Sequence, residues 1–177
     1  FYSDNDEIPN LKNLKFKDKL TLFIQKVFYY KFNLMQPNFN WIGTRACKKK
    51  HLISPQWLRN IKDKSYPYWR LDTIFSKKKY MNINYISDGG WHFTRMKNPQ
   101  NIHYKLSNFM HHLEFEESGL QVSDMERMVK EKKVLYNHMV DKRENKYTGG
   151  QKLVKVSNDI LPEYLKSNLS NYKEWLD

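Results

Sequence analysis

The chain has 177 residues, enough for one domain with a real core, and 31 lysines and arginines against 19 acidic residues give it a net charge of +12. A hydrophobic share of 40% and an aromatic share of 15% exclude a disordered chain. No apolar run reaches the roughly 18 residues of a membrane span, and the single cysteine, Cys47, excludes an internal disulfide framework. So large a positive charge favours polyanionic partners: nucleic acid, an anionic membrane surface or a phosphate-bearing substrate. The cations are spread along the chain, with short runs only at Lys48-Lys49-Lys50 and Lys77-Lys78-Lys79. The abundance of Lys, Asn, Ile and Tyr is what an AT-rich genome imposes, so no specific nucleic-acid partner is expected.

In chain order, Pro9 to Phe16 predicts a short helix at most. Leu20 to Met35 is rich in aliphatic and aromatic residues with partial alternation, which predicts one long strand or two in sequence, ended by Pro37 and its neighbouring asparagines. Trp41 to Ala46 reads as another strand. Ser54-Pro55 opens a short helix through Ile61, with Ser at the cap and Pro at the first helical position. Tyr66 to Phe75 reads as irregular, and Tyr80 to Ile86 as a strand running into Asp88-Gly89-Gly90. Asn98-Pro99 opens a helix whose apolar face is Ile102, Leu106, Phe109 and Met110. Ser123 with Glu126 has the capping-box spacing for a helix from Asp124 to about Tyr136. Gly149-Gly150 is a turn, Leu153 to Val156 a short strand, and Pro162 begins a C-terminal helix. The strand–helix mixture predicts an α/β layered fold.

Several groups can carry chemistry. Asp4, Asp6 and Glu7 are a local excess of negative charge in a basic chain. On an extended backbone Asp4 and Asp6 point the same way, and hard divalent cations take one or two carboxylates together with substrate phosphate oxygens. The alternative is that Asp6 or Ser3 caps a short helix entered through Pro9. Arg45 suits bidentate pairing with a diphosphate or an acidic acceptor. Trp91 is either a core residue or a platform for a sugar face. Paired glycines at 89 and 90 allow a sharp turn or close approach to a ligand. Asp88 is a turn residue or a general base, a role for which Glu114 competes. His92 lies in an apolar stretch, where a histidine is a structural residue or a ligand. Adjacent His111 and His112 diverge on a helix and cannot easily share one zinc ion.

Taken together, Asp4-Asn5-Asp6-Glu7-Ile8-Pro9, Phe28-Tyr29-Tyr30-Lys31-Phe32-Asn33, Trp41-Ile42-Gly43-Thr44-Arg45, Asp88-Gly89-Gly90-Trp91-His92-Phe93-Thr94 and His111-His112-Leu113-Glu114-Phe115 follow the order and rough spacing of one family. The chain resembles the C-terminal half of glycosyltransferase family 17, the beta-1,4-mannosyl-glycoprotein N-acetylglucosaminyltransferases and their bacterial and viral relatives. The resemblance covers about residues 1–120 and fades over 121–177, expected to be a C-terminal helical extension. It implies part of a glycosyltransferase A-type fold whose nucleotide-binding half would precede Phe1. It also implies inverting transfer of a sugar, N-acetylglucosamine first, from a UDP-sugar donor to a glycan acceptor hydroxyl, as in protein N-linked glycosylation. In that setting Asp4-Asn5-Asp6 would be a DXD motif holding Mn²⁺ or Mg²⁺, with His92 completing the metal–diphosphate site and Asp88 or Glu114 as base. Arg45, Trp41 and Trp91 would bind the donor and the sugars. The compartment would be cytoplasmic for a bacterial or viral member and the Golgi membrane for a eukaryotic one, with peripheral membrane association a further option. From another class, a basic, aromatic-rich nucleic-acid-binding module is the alternative, and a metal-dependent phosphodiester enzyme is a third.

Overall fold

In the computed structural model the described residues are 1–12, 14–15, 18–109, 112–137, 146–147 and 150–177. Phe16, Met110, His111 and Gly149, named above, lie outside them. The chain is a mixed α/β protein. Among the described residues six strands are hydrogen-bonded in the order β1-β5-β2-β3-β6, with β4 on β2. They are β1 (Glu7–Pro9), β2 (Leu20–Tyr29), β3 (Leu34–Cys47), β4 (Asn84–Ile86), β5 (Gly90–Thr94) and β6 (Val154–Lys155). Antiparallel pairs set Glu7 opposite His92 and Leu34 opposite Lys155. The β2–β4 pair is parallel.

The run from Leu20 to Met35 forms two strands, because Tyr30 takes a positive φ of 64° and reverses the chain. Almost every residue of β2 is buried, Thr21 and Gln25 included, so this strand is covered on both faces. Pro37 does not end the following strand as expected, and β3 continues to Cys47. The neighbour β6 pairs only with Leu34 and Met35. Beyond them the missing N–H of Pro37 costs no bond to β6, and Asn38 absorbs the irregularity at φ 56°.

Two compact units can be described separately. The first comprises Phe1–Lys26 and Asn40–His92. Its core joins Leu20 to Trp57, Leu58 and Ile61, with Tyr2, Cys47 and Tyr80 packed against them. Helix α1 (Pro55–Arg59) starts as expected, with the Ser54 hydroxyl accepting from Trp57 N at 3.0 Å and Pro55 in the first turn. Helix α2 (Asp72–Phe75) is a single turn. Gly90 has φ 123°, and a side chain there would run into the Ile8 carbonyl and Asn10 N, so the β1–β5 approach requires glycine.

The second unit comprises Val27–Phe39 and Phe93–Asp177. Phe93 packs on Phe28 and Phe32 at 5.2 and 5.3 Å between ring centres. Helix α3 (Pro99–Ser107) is capped by the Asn98 side chain, which accepts from Asn101 N at 2.9 Å. It packs against α4 (His112–Glu117) and α5 (Val122–Lys130), and its Ile102 and Leu106 are buried. The capping box of α5 is Gln121 with Asp124, two residues before the expected Ser123 and Glu126. The helix stops at Lys130, short of Tyr136. Lys132 turns left-handed at φ 54°, with Lys132 N bonded to Val129 O and Lys133 N to Met128 O. Helix α6 (Glu163–Ser167) follows Pro162, and near the C-terminus Phe32 N donates to Trp175 O at 2.8 Å.

Candidate functional site

Asp4 to Glu7 is a hydrogen-bonded turn. Glu7 N donates to Asp4 O and Asp4 N donates to Glu7 Oε2, each at 3.1 Å. The turn is tied down by Ser3, whose hydroxyl donates to Glu7 O and lies 2.7 Å from the Thr44 hydroxyl. This corrects the expectation from an extended backbone, and equally that of a helix entered through Pro9. A turn separates the two aspartates: Asp4 Oδ1 accepts from the Tyr2 hydroxyl at 3.3 Å, whereas Asp6 Oδ2 lies 3.9 Å from His92 Nε2.

Glu7 is the hub of the arrangement. It is 8% exposed, and its Oε1 accepts from Trp41 Nε1 at 2.8 Å. His92, its cross-strand partner, holds Nδ1 at 3.8 Å from the same oxygen, an electrostatic contact rather than a hydrogen bond. The Trp41 and His92 rings lie 5.1 Å apart. Burial pushes the Glu7 carboxyl up, but His92, the Trp41 N–H and the Asp4 N–H outweigh it and hold the group below its ordinary 4.5. Gly43 makes room for this cluster, since a Cβ there would stand 2.6 Å from Glu7 Cδ and also strike the Gln25 amide. Gln25 in turn donates to the Thr44 hydroxyl at 3.2 Å.

Arg45 is paired through its backbone with Tyr2. Burial lowers its pKa, while Glu7, Asp63 and Asp4 support the charge, and a guanidinium stays protonated throughout. Its Nη1 reaches Gly43 O at 3.4 Å. Arg45 Nε and His92 Nδ1 are buried and make no hydrogen bond among the described residues.

The remaining sequence candidates lie apart from this hub or in the other unit. Asp88 is exposed in the turn before β5, where Asn10 Nδ2 donates to it at 3.2 Å and Lys26 Nζ lies at 3.7 Å. Trp91 sits beside His92 in β5 and so on the opposite face of the strand. Glu114 belongs to the second unit, in the first turn of α4. His112 belongs to the same helix, and its Nδ1 lies 3.0 Å from Phe109 O.

As a metal site the cluster is a half-site. Asp6 and His92 offer one oxygen and one nitrogen, and among the described residues no three His, Cys, Asp or Glu are grouped to hold an ion. An ion held there would have to take its other ligands from water or phosphate oxygens. Of the sequence candidates, Asp6, Trp41 and His92 stand together around Glu7, whose central position, like the contacts of Gly43, Gln25 and Thr44, sequence reasoning does not assign. The available signal was Gln25, a polar residue inside the apolar run of β2. No protein-family model, curated protein or solved structure matches the chain.

Proposed function

We propose that the chain is part of an inverting glycosyltransferase with an A-type fold, similar to family 17, that moves N-acetylglucosamine from a UDP donor to a glycan hydroxyl. What supports this reading is the convergence of Asp6, Trp41 and His92, from three motifs far apart in sequence, around the buried carboxylate of Glu7. Asp6 and His92 would hold Mn²⁺ or Mg²⁺, with an imidazole less suited to the harder Mg²⁺. Such an ion, when bound, neutralises the leaving diphosphate as a Lewis acid. Arg45 adds a fixed positive charge for phosphate oxygens. Glu7 is a positioning residue that fixes the Trp41 indole and faces the His92 ring. Trp41 is the sugar platform beside His92, and Asp88 of the same unit takes the proton of the acceptor hydroxyl.

Calorimetric titration with UDP-N-acetylglucosamine, with and without Mn²⁺, tests the reading. Binding that needs the ion and is lost in Asp6→Ala and His92→Ala is expected. Donor binding indifferent to chelation would overturn the metal role. Tight, sequence-selective binding of nucleic acid at physiological salt, with no donor binding, would favour the nucleic-acid module instead.

A further inference from the structure

The stretch from Lys62 to Lys79 in the first unit is a loop closed at its neck. Lys62 N donates to Lys78 O at 2.8 Å, Tyr66 N to Tyr80 O at 3.1 Å, and Trp57 Nε1 to Lys77 O at 2.6 Å. Inside the loop Tyr66 is buried, with Lys64, Arg70 and Lys79 over its ring at 5.3, 5.7 and 5.6 Å. Arg70 grips Asp72 with Nε and Nη2, both at 2.8 Å, and Lys79 Nζ reaches the same carboxylate at 2.5 Å. Thr73, also buried, donates its hydroxyl to Arg70 O at 2.6 Å. These polar contacts fix a tip whose large side chains face outward. Tyr68 is 80% exposed, Trp69 66%, Leu71 69%, Ile74 67% and Phe75 88%.

So dense a run of exposed apolar side chains marks an interaction site. Its chemistry is layered. Within the tip the one cation, Arg70, is held on Asp72, which it shares with Lys79, so the outward-facing side chains of the tip are mainly apolar. The neck carries Lys62, Lys64, Lys77 and Lys78 against one acidic side chain, Asp63, all of them exposed. We propose that this loop docks on an anionic lipid bilayer, with Trp69, Leu71, Ile74 and Phe75 entering the boundary between headgroups and acyl chains and the neck lysines meeting lipid phosphates. Trp and Tyr favour that boundary because they join an apolar ring to a polar atom. Leu71 and Ile74 offer no ring on which a base could stack, which disfavours a single-stranded nucleic acid. A second copy of the chain would bring like-charged necks together. The proposal does not depend on the transferase reading.

Co-sedimentation of the protein with phosphatidylcholine vesicles, with and without phosphatidylglycerol, tests it. Binding to the anionic vesicles alone is expected. The triple variant Lys62→Gln, Lys77→Gln, Lys78→Gln should lose about a hundred-fold in affinity, at about five-fold for each lysine. The double variant Trp69→Ser, Phe75→Ser should lose at least about ten-fold, with an unchanged melting curve because both side chains are exposed. As a control independent of folding, brominated lipid should quench the fluorescence of the wild type more than that of Trp69→Phe, which keeps its affinity. Wild-type protein left in the supernatant, or undiminished binding by a folded tip variant, would overturn the proposal. So would a dimer, or binding of a single-stranded oligonucleotide, that the tip variant abolishes while vesicles bind nothing.

Discussion

Glu7 stands directly opposite His92 across the β1–β5 pair, with Oε1 3.8 Å from Nδ1, and takes its hydrogen bond from Trp41 at 2.8 Å. One buried carboxylate thus ties together the acidic turn, β3 and β5. Trp41→Phe keeps the aromatic bulk and removes the donor. It should cost about 1.5–3 kcal/mol, the range for a hydrogen bond to a charged group. Urea unfolding at neutral pH measures this, and a loss within experimental error would show that the indole N–H contributes nothing.

The pH dependence has a definite sign. The folded Glu7 carboxyl lies below its ordinary 4.5, so the unfolded chain binds the proton more readily. The resulting stabilisation is fully present above 4.5 and is lost as pH falls through the folded value. Between about pH 6 and 3, wild type should lose more stability than Glu7→Gln. Parallel curves for the two proteins would place the acid sensitivity elsewhere.

Gly43→Ala tests the packing around the same carboxylate. The added methyl would press on Glu7 and on the Gln25 amide, both buried. A cost of about 1–3 kcal/mol is expected for overpacking at such a site. Combining Gly43→Ala with Gln25→Ala should recover part of it, because one of the two obstructions is then gone. A double variant no more stable than the sum of the two single losses would reject the steric account.

Asp6, Trp41 and His92 were legible because each belongs to a short motif with its own chemistry. The role of Glu7 was not. Burial and cross-strand register make it the hub, and neither is written in the residues around it. The same limit governs the fold. The Ser54-Pro55 and Asn98-Pro99 starts were readable because the cap is a local bond. Whether Pro37 ends a strand depends on how far β6 reaches, a tertiary fact. At α5 two overlapping capping patterns competed, and Gln121 with Asp124 prevailed.

The end of α5 shows a local signal that was absent, and it yields a test. Lys132 sits at φ 54° in the position where glycine is usual, and two backbone bonds to Val129 and Met128 hold it there. A non-glycine residue in this region costs about 1–2 kcal/mol, while glycine adds about 0.5–1 kcal/mol of unfolded-chain entropy. Relief of strain should therefore win by a few tenths to about 1 kcal/mol. Lys132 also pairs with Asp177 Oδ2 at 2.5 Å, a partly exposed contact that any neutral substitution removes. The comparison that isolates the backbone is Lys132→Gly against Lys132→Met, since both lose the ion pair and only one relaxes the turn. Lys132→Gly should be the more stable of the two in urea unfolding. If Lys132→Met equals or exceeds it, the left-handed turn carries no strain for glycine to relieve.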